Sequence, residues 1–311
     1  MTAIKAIVFG IRSSLRNAWL AVVFYSCGLL LAAIVAAPMY GAIADHLGNS
    51  GVGNELARGF DLNWLTEFQI TYAPFLKGFS TLLAWTGVLF LALNTVLSAG
   101  AYQVLADAAA DSASGNTSAR ERVNAFGRGI GRYFIPFAAL VLIASVAYFI
   151  VFWFWQGPAA RLLDYVFANS VHEAPVFYLN WLRWALLTFC VVAINLIVEY
   201  AKADLVSESR TSVLASLGQA AGFVFARFGR VLFIYLVIGS FTLLTIALYA
   251  AFARYFPQAT SVTVLIWFVV AQVLLLSRWI FRIASWGAAV AYKRQVPALS
   301  PAPIESAVEV A

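Results

Sequence analysis

The sequence predicts an all-α polytopic membrane protein, a bundle of about six transmembrane helices with amphipathic helices lying in the interface. Three observations carry that prediction. The 311 residues are 63% hydrophobic and only 11% charged, with a mean hydropathy of +0.85; soluble domains run at roughly 45–50% apolar and about 25% charged. Six apolar runs approach or exceed the roughly 20 residues that a helix needs to cross a hydrocarbon core of about 30 Å. Finally, Lys and Arg divide unequally between the segments joining those runs. This composition excludes a cytosolic enzyme, a secreted disulfide scaffold and a disordered tail protein.

Residues 1–295 read as one integral membrane domain. At its start, Ile4, Ile7, Val8, Ile11 and Leu15 recur at helical spacing, with Lys5, Arg12 and Arg16 away from them. That pattern fits a basic interfacial helix over residues 1–17 or an extension of the first span. The first span, near 19–39, follows basic residues and carries Ala32, Ala33, Ala36 and Ala37. Its apolar stretch exceeds the 7–15 residues of a cleaved signal, so it is expected to stay as an anchor. Beyond it, Gly48, Gly51 and Gly53 make a turn-rich stretch, and Trp64, Leu65 and Phe68 predict a short amphipathic helix.

The second span is expected near 82–105. Ser118 with Glu121 three residues on is a capping-box signal for a helix that leads into the third span, near 134–155. Leu162, Leu163, Tyr165, Val166 and Phe167 after Pro158 suggest a second short amphipathic helix on the external side. Spans near 178–198, 231–256 and 262–277 complete the six, and residues 296–311 read as a disordered cytoplasmic tail. Barrel strands are excluded, since these runs show no alternation and most are twice the strand length of about 10 residues. Trp19, Tyr40, Tyr133, Trp155, Tyr178 and Tyr255 fall at span ends, as interfacial aromatic belts do. Pro38, Pro158 and Pro257 are expected at helix ends, where they disturb the backbone ladder least.

For six spans, fifteen of the twenty basic residues fall on one side, leaving Arg58, Lys77, Arg161, Arg183 and Arg254 on the other. The positive-inside rule then places both termini in the cytoplasm, and a bacterial inner membrane is the expected location. The same asymmetry accounts for the net charge of +6, so nucleic acid is not an expected partner. A weak parallel repeat runs from Asn94, Ser98 and Gly100 to Phe126, Gly131 and Arg132, and again from Asn195 and Glu199 to Phe225, Gly229 and Arg230. In each copy a segment ending in Gly-Arg enters the next span.

Several short motifs carry a resemblance. They are the basic opening into Trp19, the Ala-rich exit through Pro38, the turn His46-Leu47-Gly48-Asn49-Ser50 and Gly59-Phe60-Asp61 before Trp64-Leu65. Leu97-Ser98-Ala99-Gly100, Glu199-Tyr200-Ala201-Lys202 and the Gly-Arg entries at Arg132 and Arg230 belong with them. In these the chain resembles a loose group of bacterial six-helix membrane proteins, similar in architecture to Yip-like proteins and to the membrane domain preceding glycerophosphodiester phosphodiesterases. The resemblance implies a fold and a location and no activity; the phosphodiesterase catalytic domain is absent.

Chemistry is sparse. His46 and His172 lie in different external segments, and HExxH, P-loop and GxSxG motifs are missing; no enzyme, cofactor or metal is expected. Cys27 and Cys190 lie within spans, where they act as small hydrophobes. Lipid-contact candidates are Arg128, Arg132, Arg227, Arg230, Arg278 and Arg282. Arg278 lies about 26 Å into its helix at 1.5 Å per residue, where a cation snorkels to lipid phosphate. Glu199 reaches a similar depth, so a Glu199–Arg278 ion pair is geometrically allowed. Asn94, Asn195 and Gln272 are the candidates for a polar cavity, although such amides commonly act as helix glue. No span holds a mid-membrane charge, which argues against a coupled pump. The leading expectation is a non-enzymatic membrane protein acting through cytoplasmic amphipathic segments on lipids, a membrane-protein partner or a second copy. The alternative is a facilitator or transporter subunit.

Overall fold

A computed structural model describes residues 2–48, 62–110, 118–167, 173–209, 212–255 and 260–295. Among these, the secondary structure is helical throughout: α1 (Ala3–Arg16), α2 (Ala18–Leu47), α3 (Leu62–Thr71), α4 (Ala73–Ala110), α5 (Ala119–Gln156), α6 (Pro158–Phe167), α7 (Glu173–Ser207), α8 (Val213–Ala226), α9 (Phe228–Tyr255) and α10 (Ser261–Gln295). Six of them, α2, α4, α5, α7, α9 and α10, are long and apolar enough to cross a membrane, which makes the chain a multi-pass membrane protein. The tail 296–311, Arg58, Gly51, Gly53, Gly59 to Asp61, His172 and Pro257 lie outside the described residues.

The spanning helices run well past their apolar runs. α4 and α5 have 38 residues each and α10 has 35, or about 57 and 52 Å at 1.5 Å per residue, against a hydrocarbon core of about 30 Å. Pro38 corrects the expectation for prolines, because α2 continues through it to Leu47. A proline lacks the amide that its helix would use, but bilayer helices tolerate the loss where neighbouring groups re-satisfy the backbone. Pro136 is likewise inside α5, whereas Pro158 opens α6, the position where its missing amide matters least.

At its start α1 is a separate helix, broken from α2 at Asn17 (φ −113°, ψ 37°). The Ser118 capping box forms as expected, with Ser118 Oγ accepting from the Glu121 amide and the Glu121 carboxylate accepting from the Ser118 amide. The two Gly-Arg entries differ in structure. Arg132 lies within the unbroken α5, while Arg230 lies in the first turn of α9, just after the backbone turns at Arg227.

The chain divides into two compact units. The first comprises residues 1–14, 98–238 and 283–311 and holds most of the buried core. Here α5 packs on α6 and α7, and α7 packs on α8. Small residues set the close approaches: a Cβ on Gly10 would overlap the Ala284 carbonyl oxygen, and one on Gly129 would lie 2.8 Å from the Ala99 carbonyl oxygen.

The second unit comprises residues 15–97 and 239–282. Tyr25 donates a 2.8 Å hydrogen bond to Gln272 Oε1, Phe24 stacks on Trp279 at 4.8 Å, and Tyr249 meets Trp267 edge-on at 5.2 Å. The short helix expected from Trp64, Leu65 and Phe68 forms as α3, and Trp64, Phe68 and Tyr72 stack in a row against which His46 packs. In the most apolar stretch of each span, at most 22% of residues are buried.

Candidate functional site

In the first unit, the ends of α4, α7 and α10 surround a core made of small and aromatic side chains. Tyr102 meets Phe137 edge-on at 5.6 Å and Trp286 at 5.4 Å, and its hydroxyl donates to the Glu199 carbonyl at 3.4 Å. A second cluster centres on Phe223 of α8, which stacks on Tyr200 at 5.5 Å and meets Tyr292 at 5.8 Å. Two cations sit against the same ring, Arg227 at 4.7 Å and Lys293 at 4.8 Å. Cation–π contacts of this kind contribute about 0.5–2 kcal/mol, more when desolvated.

Lys293 also pairs with Asp204 at 2.9 Å, and the two side chains are 5% and 0% exposed. Burying both charges costs several kcal/mol per ion, and the pair holds only because each compensates the other. Sequence reasoning missed this pair. Its signal was an acid in Ala-Asp-Leu-Val and a lysine closing a small-residue run, positions where Lys and Asp are almost never buried unless paired.

Around this core lies a basic surface. Arg128 is exposed and 3.8 Å from Asp107, which also accepts from Gln103 at 2.6 Å. Exposed Arg132 donates to the Ser209 carbonyl at 3.4 Å, beyond the end of α7, and lies over the Tyr133 ring at 5.5 Å. Arg294 donates to the Ala106 carbonyl at 2.9 Å, placing a cation near the C-terminal end of α4, where the helix dipole favours it. Arg230 is exposed and Arg227 half-buried. Arg278 and Arg282, exposed and half-buried, belong to the second unit.

The remaining candidates are divided between the two units. Glu199 is buried in the first unit and accepts from Ser285 Oγ at 3.5 Å, whereas Arg278 falls in the second unit. Asn195 donates to the Tyr235 hydroxyl at 3.1 Å in the first unit. Gln272 is held by Tyr25, and Asn94 is half-buried, both in the second. These amide contacts are the helix-joining bonds expected in lipid, worth about 0.6–2 kcal/mol each. Among the described residues, no group of three or more His, Cys, Asp or Glu could hold a metal ion. No family model matches the chain, and no curated protein or solved structure matches it.

Proposed function

We propose that this chain is a non-enzymatic protein of the bacterial inner membrane, with both termini cytoplasmic, that holds anionic lipid headgroups at its basic face. The observation that carries this reading is the double-sided character of its short helices. On α1, Ala6, Ile7 and Gly10 are buried in the protein, while Ile4 and Val8 are 65% and 59% exposed beside exposed Lys5 and Arg12. On α8, Ala220, Phe223 and Val224 are buried, while Leu214 and Phe225 are 73% and 62% exposed, close in sequence to Arg227 and Arg230. One face of each helix is already committed to the protein core. The other offers apolar side chains flanked by cations, the arrangement that lies in the headgroup layer. Each basic residue near an anionic surface adds about 1 kcal/mol.

The test is headgroup dependence. The wild type, Arg128→Gln/Arg230→Gln, and the same variant with Arg132→Gln would be reconstituted in vesicles of phosphatidylcholine, with and without phosphatidylglycerol. The wild type should melt higher with phosphatidylglycerol, and the increment should shrink with each cation removed. An increment unchanged in both variants would refute the proposal.

A further inference from the structure

The second unit holds a groove lined by none of the basic residues of the first unit's short helices. It runs between α2 and α4, has a volume of about 460 Å³, and is lined by residues that include Gly28, Ala32, Ala36, Phe79, Gly87 and Phe90. We infer that this groove is a binding site for one acyl chain of a membrane phospholipid.

Three observations point to that occupant. The first is depth. The lining covers residues 28–39 of α2 and 79–90 of α4, about 16 Å of helix at 1.5 Å per residue. That is half of a hydrocarbon core of about 30 Å, the depth of a single leaflet and hence of a single lipid tail.

The second is the glycines. A Cβ on Gly28 or Gly87 would meet no atom within 4 Å, so the chain's own packing gives no reason for either. A glycine in a helix interior is about 1 kcal/mol less favourable than alanine, and here its effect is to keep the groove open. Lining atoms facing an empty slot lose their dispersion partners, and at this depth a lipid tail is the flexible, slender apolar molecule that supplies them.

The third is the end of the groove. Two residues beyond Phe79, Lys77 is exposed, about 3 Å further along the axis, at the level where the phosphate of a lipid seated by its tail would lie. The leaflet is the one on the α3 side, the outer leaflet in the proposed orientation.

The experiment uses the full chain in phosphatidylcholine–phosphatidylglycerol vesicles containing a phosphatidylcholine with a photoactivatable diazirine in its tail, with adducts mapped by peptide mass spectrometry. Labelling should be enriched several-fold on peptides covering 28–39 and 79–90 relative to the equally lipid-accessible 262–275 of α10. In Gly28→Leu/Gly87→Leu that enrichment should vanish while labelling of α10 persists and the melting temperature stays that of the wild type; Ala36→Leu alone should reduce it. Even labelling of all exposed helices in the wild type, enrichment that survives the filled groove, or crosslinks there between two copies would overturn the inference.

Discussion

Removing the ammonium of Lys293 strands the Asp204 carboxylate in a site where its side chain is 0% exposed. Breaking a buried pair from one side costs about 3–5 kcal/mol, because the surviving charge has neither water nor partner. Lys293→Met keeps the aliphatic stem and its volume, so the loss falls on the 2.9 Å ion pair and on the 4.8 Å contact with Phe223. At an unfolding entropy of about 2.1 cal/mol/K per residue, 311 residues give roughly 1.5 °C per kcal/mol, so the melting temperature should fall by roughly 5–8 °C. Asp204→Leu alone should cost a comparable amount, since it strands the ammonium. The double variant Asp204→Leu/Lys293→Met should recover most of the loss, because matched apolar replacement of a buried pair is often neutral or stabilising. The assay is thermal unfolding in detergent micelles, followed by intrinsic fluorescence, with the four proteins forming a double-mutant cycle. Additive losses, or a Lys293→Met protein that melts with the wild type, would show that the two charges are not buried together.

Three other changes probe separate parts of the structure. Tyr72 donates a 2.7 Å hydrogen bond to Asp45 Oδ2, which, with desolvation and the carboxylate's charge adding, raises its phenol above the ordinary value of 10.0. A raised value means that this contribution is complete below the unfolded-state pKa and is lost as pH rises through the folded-state one; the wild type should therefore lose stability relative to Tyr72→Phe only at strongly alkaline pH. Gly10→Ala drives a methyl into the Ala284 carbonyl and should cost about 1–3 kcal/mol, as overpacking does, whereas Gly222→Ala, with open space around it, should be neutral or gain up to about 1 kcal/mol of helix propensity; thermal melts compare the two. Ser118→Ala removes the cap of α5 and should cost about 1 kcal/mol, seen as faster amide exchange at residues 119–122.

How much of this was legible in the sequence depended on whether the signal was local. Each span announced itself through its own apolar run, and α1, α3, α6 and the start of α5 through their own periodicity or caps. What the runs concealed was helix length. Hydropathy measures transfer into lipid, so it fell away near Ser277 although α10 continues to Gln295, carried by the small residues Ala284, Gly287, Ala288 and Ala291. Those residues sustain a helix and let it pack closely, yet they weigh little in a hydropathy window. Pro38 misled for a related reason, because the rule that places proline at helix ends is weaker inside a bilayer. The site was harder still. Asp204 and Lys293 lie far apart in sequence, and no local pattern joins an acid on α7 to a lysine on α10. The arginines could be picked out as a group because cations near span ends stand out against apolar runs; their contact with lipid belongs to the proposal.

In the proposed orientation most of the basic residues near the span ends face the cytoplasm. Reporter fusions read that orientation most directly, with an alkaline phosphatase or fluorescent-protein tag placed before residue 1, after residue 311 and between residues 49 and 61. Both termini should give the cytoplasmic signal and the internal tag the opposite one; termini that report from opposite faces, or an internal tag in the cytoplasm, would contradict the claim.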